Sequence, residues 1–276
     1  MTLTIQDGPT LRNGVAMPWL GLGVFKASEG GEVEAAVKAA VDVGYRAIDT
    51  ASIYLNEAGV GRAVSECGVP REQLFITTKL WNADQGYDSA LRAFDASLER
   101  LGMDYVDLYL IHWPVKGRYK DSWRALERIH GEGRARAIGV SNFLVHHLEN
   151  LMGNASIMPM VNQVEFHPRL VQPQLLEFCK RHHIQPEAWS PLMQGKILDL
   201  REVAAIASRH GRTISQVVLR WNIQKGVVTI PKSVRRERIE ENAQIFDFEL
   251  TEEDMQQIDT LDRNERIGPD PDNVNF

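Results

Sequence analysis

Apolar positions along this chain follow two alternating rhythms. Short runs, LGLG (20–23), RAID (46–49), LFITT (74–78), VDLYLI (106–111), RAIGV (136–140), MVNQVEF (160–166), IQPEAW (184–189) and VVTI (227–230), read as strands. Between them lie stretches whose apolar residues recur at helical spacing, among them EVEAAVKAAVDVG, YDSALRAFDASLERLG, SWRALERIHGEG, VHHLENLM and QLLEFCKRHH. Several end in glycine, the residue best suited to close a helix in the left-handed conformation. Strand and helix alternate eight times, the order of parallel βα units.

Two α/β arrangements fit that order, an open doubly wound sheet and a closed (β/α)8 TIM barrel. An open dinucleotide-binding sheet calls for G-x-G-x-x-G after its first strand, and GLGVFK (21–26) lacks the third glycine. Eight units in a chain of barrel length predict closure, as one domain over residues 1–276. Ahead of the first strand, LTIQDGPTLRNGVAMP contains DG and NG, two strong turn signals, and predicts an N-terminal β-hairpin that plugs one barrel end. Two extra helices are expected late in the chain. One is TISQVVLRWNIQKG, before the last strand; the other is TEEDMQQIDTLD, opened by a cap from Thr251 to Asp254. GPDPDNVNF reads as a loop.

Composition narrows the partners. The 276 residues are 43% hydrophobic and 25% charged, with a formal charge of -6. That balance, without a basic stripe carrying aromatics, argues against nucleic acid. No apolar stretch approaches membrane-span length. The opening MTLTIQDGPT carries neither a basic region nor an apolar one of signal-peptide type, so no secretory signal is expected. Cys67 and Cys179 lie inside helical patterns without metal-ligand spacing and read as buried thiols of a reducing, cytoplasmic compartment. No metal is expected.

In a parallel barrel, chemistry gathers where the strands end. The second run closes on Asp49, with Tyr54 just beyond, the third gives Lys79 and Trp81, and the fourth His112 and Trp113. Later runs add Ser141 and Asn142, then Asn162, Gln163 and Glu165, then Trp189 and Ser190, then Lys232 and Ser233. Singly, each has a plain structural use: a capping aspartate, a packed tyrosine, a snorkelling lysine, a core histidine. Together the first four make chemical sense. A phenol has an ordinary pKa of about 10, and a neighbouring ammonium lowers it. The ammonium needs a carboxylate to stay charged inside a barrel, which Asp49 can supply. His112 can then donate to a carbonyl oxygen from the other side, with Tyr54 as the proton donor.

Reduction of that carbonyl needs a hydride, which no side chain carries, so a nicotinamide cofactor is expected. Ser141, Asn142 and Gln163 can hydrogen-bond its carboxamide, and Trp189 offers a flat face. IPKSVRRERIEEN sets Lys232, Ser233, Arg235, Arg236 and Arg238 at a helix start after strand eight, an anion site suited to a ribose 2′-phosphate. NADPH/NADP+ is therefore expected over NADH.

These residues resemble the aldo-keto reductase family over nearly the whole chain. GYRAIDTASIYLNEAGVG, LYLIHWP and IPKSVRRERIEEN are similar to its signatures, and GVSNF, NQVEFHP and SPLMQG to further segments. The likeness is greatest to the small bacterial glyoxal/methylglyoxal and 2,5-diketo-D-gluconate reductases and to protozoan prostaglandin F synthases. The resemblance implies Asp49, Tyr54, Lys79 and His112 as a catalytic tetrad. It implies cofactor contacts at Val24, Ser141, Asn142, Gln163, Trp189, Ser190, Leu192, Lys232, Ser233 and Arg238, with Glu241 and Asn242 facing the adenine. Phe25, Trp81 and Trp113 match the walls of the substrate pocket. Many members carry tyrosine where Trp189 stands and threonine where Val24 stands. The segment WPVKGRYKDSW and the C-terminal tail are shorter than in mammalian members, which implies an open pocket and broad small-aldehyde or ketone specificity in a monomer. Two other functions fit a barrel with these residues: a Schiff-base lyase using Lys79, and a non-catalytic NADPH-sensing subunit.

Overall fold

A computed structural model describes residues 3–274. Eight strands follow one another around a parallel sheet: β1 (Gly21–Gly23), β2 (Ala47–Asp49), β3 (Phe75–Leu80), β4 (Val106–Ile111), β5 (Ala135–Ser141), β6 (Val161–Glu165), β7 (Gln185–Trp189) and β8 (Val228–Thr229). The sheet closes on itself through parallel bridges Leu20–Thr229 and Gly23–Lys232. It is the expected (β/α)8 barrel. β3 and β4 are buried at every position, as strands covered by side chains within and helices without must be.

The helices α1 (Gly31–Val43), α2 (Glu57–Glu66), α3 (Tyr87–Leu101), α4 (Tyr119–Gly131), α5 (Val145–Met152) and α6 (Pro173–Arg181) each follow the strand of the same number. Their apolar stripes face the sheet: in α4, Trp123, Ala125, Leu126 and Ile129 are buried. Gly102 ends α3 at φ 64° and donates its N–H to the carbonyls of Leu98 and Glu99, a conformation costly for a residue with a Cβ.

Two helices separate β7 from β8, α7 (Arg201–His210) and α8 (Ile214–Gln224); α9 (Arg236–Ala243) and α10 (Glu252–Asp259) follow β8. α8 packs on β8, while α7 packs on α8 and α10. Both α8 and α10 open with reciprocal capping boxes, Thr213 with Gln216 and Thr251 with Asp254. Asp254 also binds Arg209 at 2.5 Å and His210 at 2.7 Å, which clamps α10 to the end of α7.

The N-terminal hairpin is smaller than its turn signals suggest. It consists of a single antiparallel bridge, Thr10–Ala16, with the turn at Asn13 and Gly14. Asn13 donates to the carbonyl of Arg136 at 2.8 Å, and Met17 is buried, so the hairpin sits against the N-terminal end of β5. Cys179 is buried as expected, whereas Cys67 is only half-buried; both are free thiols. Among the described residues, no helix is long and apolar enough to cross a membrane.

Candidate active site

The carboxyl ends of the strands share one face of the barrel, and the tetrad residues converge there. Asp49 is the last residue of β2, Lys79 lies one residue before the end of β3, and His112 follows β4 directly. Tyr54 ends a single 3-10 turn, Ser52–Tyr54, after β2. That turn is pinned on both sides. The Ser52 hydroxyl donates to the carbonyl of Lys79 at 3.1 Å. The buried Asn56 amide donates to the carbonyls of Val24 and Ala27 and accepts from Thr50.

Lys79 is fully buried, and its ammonium donates to Asp49 Oδ1 at 2.5 Å and to the carbonyl of Thr50 at 2.9 Å. Burial alone would favour loss of its proton, but the charges of Asp49 and its neighbours outweigh that, so its pKa lies above the ordinary lysine value. The same ammonium stands 5.1 Å from the ring centre of Tyr54 and acts on its phenol through its charge. For Tyr54 the sequence expectation of a lowered pKa needs correction. Lys79 does act downward, but burial acts upward more strongly and Asp49 adds to it, so the net direction is up. The residue as a whole keeps part of its surface at the mouth while the phenol oxygen end is enclosed. Tyr54 is therefore protonated at neutral pH, as a proton donor must be.

His112 is held neutral: burial, and then the charge of Lys79, push its pKa well below the ordinary value. Its Nδ1 has no hydrogen-bond partner among the described residues. Its ring meets Tyr54 edge-on at 5.8 Å and Trp81 at 5.3 Å, and lies nearly parallel to Trp113 at 6.5 Å. Phe25 rests on Tyr54 at 5.0 Å and is 49% exposed, so Phe25, Trp81 and Trp113 each lie against Tyr54 or His112.

The residues expected at a carboxamide form one connected network. Ser141 donates from its hydroxyl to the carbonyl of Gln163 at 2.9 Å. Asn142, at φ 65°, gives its two side-chain N–H groups to the carbonyl of His112 and the hydroxyl of Ser141, and its Oδ1 accepts the indole N–H of Trp189 at 2.8 Å. Gln163 gives both of its N–H groups to carboxyl oxygens, Asp49 at 2.7 Å and Glu187 at 2.8 Å. For both amides only the oxygen is left to meet a further group.

Val24 offers no polar contact: its N–H donates to Asp49, its carbonyl accepts from Asn56, and its side chain is buried. Ser190 and Leu192 open the turn after β7 on the same face as Trp189, Ser190 at φ 50°.

The basic residues of IPKSVRRERIEEN stand apart from the tetrad, across the β1–β8 seam, at the start of α9. Ser233 shapes the approach through a hydrogen bond from the Arg235 N–H at 3.1 Å. Arg236 is paired with Glu240 and Asp42. Among the described residues, no ion pair engages Lys232, Arg235 or Arg238, all exposed. The first turn of α9 has no side-chain cap, which leaves its N–H groups to an anion. Glu241 is committed elsewhere, accepting from Thr213 at the start of α8, and Asn242 is buried.

One carboxyl group, Glu187, escaped the strand-end reading, whereas Glu165 was among the residues expected there. Glu187 lies inside β7, buried, against Gln163; its sequence signal was an acid in the middle of an apolar run. Glu165 is buried and accepts from His167 at 3.0 Å and from the backbone N–H groups of Ile267 and Gly268 at 2.6 and 3.2 Å. Gly268 lies so close to Trp189 that a Cβ there would stand 2.4 Å from the indole ring.

A barrel whose mouth joins an enclosed Asp–Lys pair, a phenol and a neutral histidine, with an uncapped basic helix start beside it, has the arrangement of a barrel oxidoreductase. The Aldo/keto reductase family profile matches residues 19–263, and the chain belongs to that family. It is 60% identical to a glyoxal reductase of Bacillus subtilis (strain 168), across the full length of both chains. Among solved structures it is similar to MGS-M4, an aldo-keto reductase from a Medee basin deep-sea metagenome library, at 50% identity and TM-score 0.95, covering 98% of this chain and 100% of that one. A mutant of Gox0644 in complex with NADPH matches at 43% identity and TM-score 0.92, over 97% of this chain and 98% of that one.

Proposed function

We propose that the chain reduces small aldehydes and ketones to alcohols with NADPH, and that dicarbonyls of the glyoxal type are among its substrates. The observation that carries this reading is the protonated Tyr54 phenol beside the buried Lys79 ammonium, itself anchored on Asp49. A carbonyl oxygen placed between Tyr54 and His112 receives hydrogen bonds from both and the proton from Tyr54. Lys79 steadies the phenolate that is left, and proton donation of this kind contributes about 10²–10⁴ in rate. The dihydronicotinamide of NADPH supplies the hydride. Gln163 Oε1 and Asn142 Oδ1 are the acceptors for its carboxamide, Trp189 the face for its ring, and Lys232, Ser233 and Arg238 with the first turn of α9 the holders of its 2′-phosphate.

The name of the Bacillus subtilis relative supports the substrate class. So does the mouth: the exposed large apolar residues among those described are Phe25, Ile53, Leu55 and Leu198, all in segments that follow strand ends on this face. With apolar exposure confined to the mouth, we read the protein as a monomer and one domain. The two free thiols support a reducing, cytoplasmic location. The Schiff-base alternative needs a neutral Lys79, and its pairing with Asp49 keeps it charged.

The test is NADPH oxidation over a panel including glyoxal, methylglyoxal, a 2,5-diketo acid, simple aldehydes and simple ketones. Turnover of several small carbonyls, dicarbonyls foremost, is expected; no turnover of any of them with intact NADPH binding rules the reading out.

A further inference from the structure

Glu187 is the third residue of β7, in register with Gln163 of β6 on one side and Val228 of β8 on the other. Its carboxyl group is closed from water and accepts one N–H of the Gln163 amide, whose other N–H goes to Asp49. The charged and titratable groups facing it are Asp49 from β2, Lys79 from β3 and Tyr54 from the turn after β2; β8 contributes Val228 and Thr229.

That inventory has an excess of acid. One ammonium, Lys79, is shared by two enclosed carboxyl groups and already sits 2.5 Å from Asp49. Ionising both would leave an uncompensated negative charge in a water-poor interior. We infer that Glu187 is a positioning residue for the reduction: it holds the Gln163 amide with nitrogen inward and oxygen toward the nicotinamide, and by keeping its own proton holds the tetrad at one net charge. The inference rests on the cofactor placement proposed above. Burial, and then the charge of Asp49, raise the Glu187 carboxyl to about 8, so this proton is kept through neutrality and released on the alkaline side.

The consequence reaches the cofactor because its two redox forms differ in charge. Oxidised nicotinamide is cationic and reduced nicotinamide is neutral, so a second carboxylate beneath Gln163 favours NADP+ over NADPH. Their 2′-phosphates titrate alike, so the ratio of the two affinities isolates the ring. A rise in that ratio is expected as pH passes through about 8.

Glu187→Gln retains an acceptor for Gln163 and cannot ionise; Glu187→Leu removes the acceptor. Dissociation constants for NADP+ and NADPH, measured by fluorescence titration between about pH 6 and pH 9.5, separate the two effects without turnover. In the unaltered protein the NADP+/NADPH affinity ratio should rise roughly three- to tenfold on the alkaline side, a change worth about one pKa unit or less. The Gln variant should show a flat ratio with near-normal affinities at pH 6.5, and the Leu variant weaker binding of both forms at every pH. A ratio in the Gln variant that still rises as in the unaltered protein, or Leu-variant affinities equal to those of the unaltered protein, overturns the inference. Failure of the substrate panel would leave these binding curves unchanged, so the two readings fail separately.

Discussion

The indole N–H of Trp189 donates to Oδ1 of Asn142 at 2.8 Å, so the flat face of the indole is fixed by the same amide that holds the His112 backbone. Trp189→Phe keeps a ring but removes that donor. The loss of one hydrogen bond, about 1 kcal/mol, should weaken NADPH binding by roughly fivefold. Fluorescence titration checks this; unchanged affinity would show that the indole N–H does not orient the ring.

Tyr54→Phe removes the proton donor and leaves the walls of the site standing. kcat should fall by about 10²–10⁴ while NADPH affinity stays within about threefold. The pH dependence follows from the direction of the Tyr54 shift. Because burial raises its pKa above the ordinary phenol value, the acid form persists through neutrality, and reduction should decline only on the far alkaline side. A decline centred near neutrality, still present in Tyr54→Phe, would assign the profile to another group.

Lys79→Met strands Asp49 in the interior. Breaking an enclosed pair from one side costs about 3–5 kcal/mol, which for a chain of this size is a fall in Tm of roughly 6–20 °C. Pairing the change with Asp49→Leu should recover most of the loss. A single variant as stable as the parent at pH 8 would mean that the pair is not enclosed.

Arg238→Ala addresses the phosphate site. A charge-assisted hydrogen bond contributes about 1.5–3 kcal/mol, so NADPH affinity should drop by roughly ten- to a hundredfold. NADH, which has no 2′-phosphate, should be nearly unaffected. Equal weakening of both cofactors would place Arg238 outside the phosphate contact.

The barrel was legible because eight apolar runs came in order with helical stretches between them, and the mouth because polar residues closed those runs. What stayed hidden depended on contacts between strands. Asp107 and Glu187 look alike in sequence, each an acid inside an apolar strand. In the structure Asp107 is met by Arg71 at 2.7 Å and Arg136 at 2.8 Å and braces the strands. Glu187 meets no arginine and leans on an amide beside the tetrad. Nothing within VDLYLI or IQPEAW separates the two. The direction of the Tyr54 shift was missed for a related reason: the presence of Lys79 could be read from the chain, but the depth of burial that outweighs it could not.

The hydrogen bonds from the backbone N–H groups of Ile267 and Gly268 to Glu165, with Gly268 against Trp189, make this late segment a brace for the indole on which the proposed cofactor would rest. In families where tail and loop segments set substrate choice, such segments are natural targets for exchange between relatives. Here the exchange is not modular. A tail grafted to alter which carbonyl enters would also reset how firmly the indole is held, and selection for a new substrate would be coupled to cofactor affinity from the first substitution.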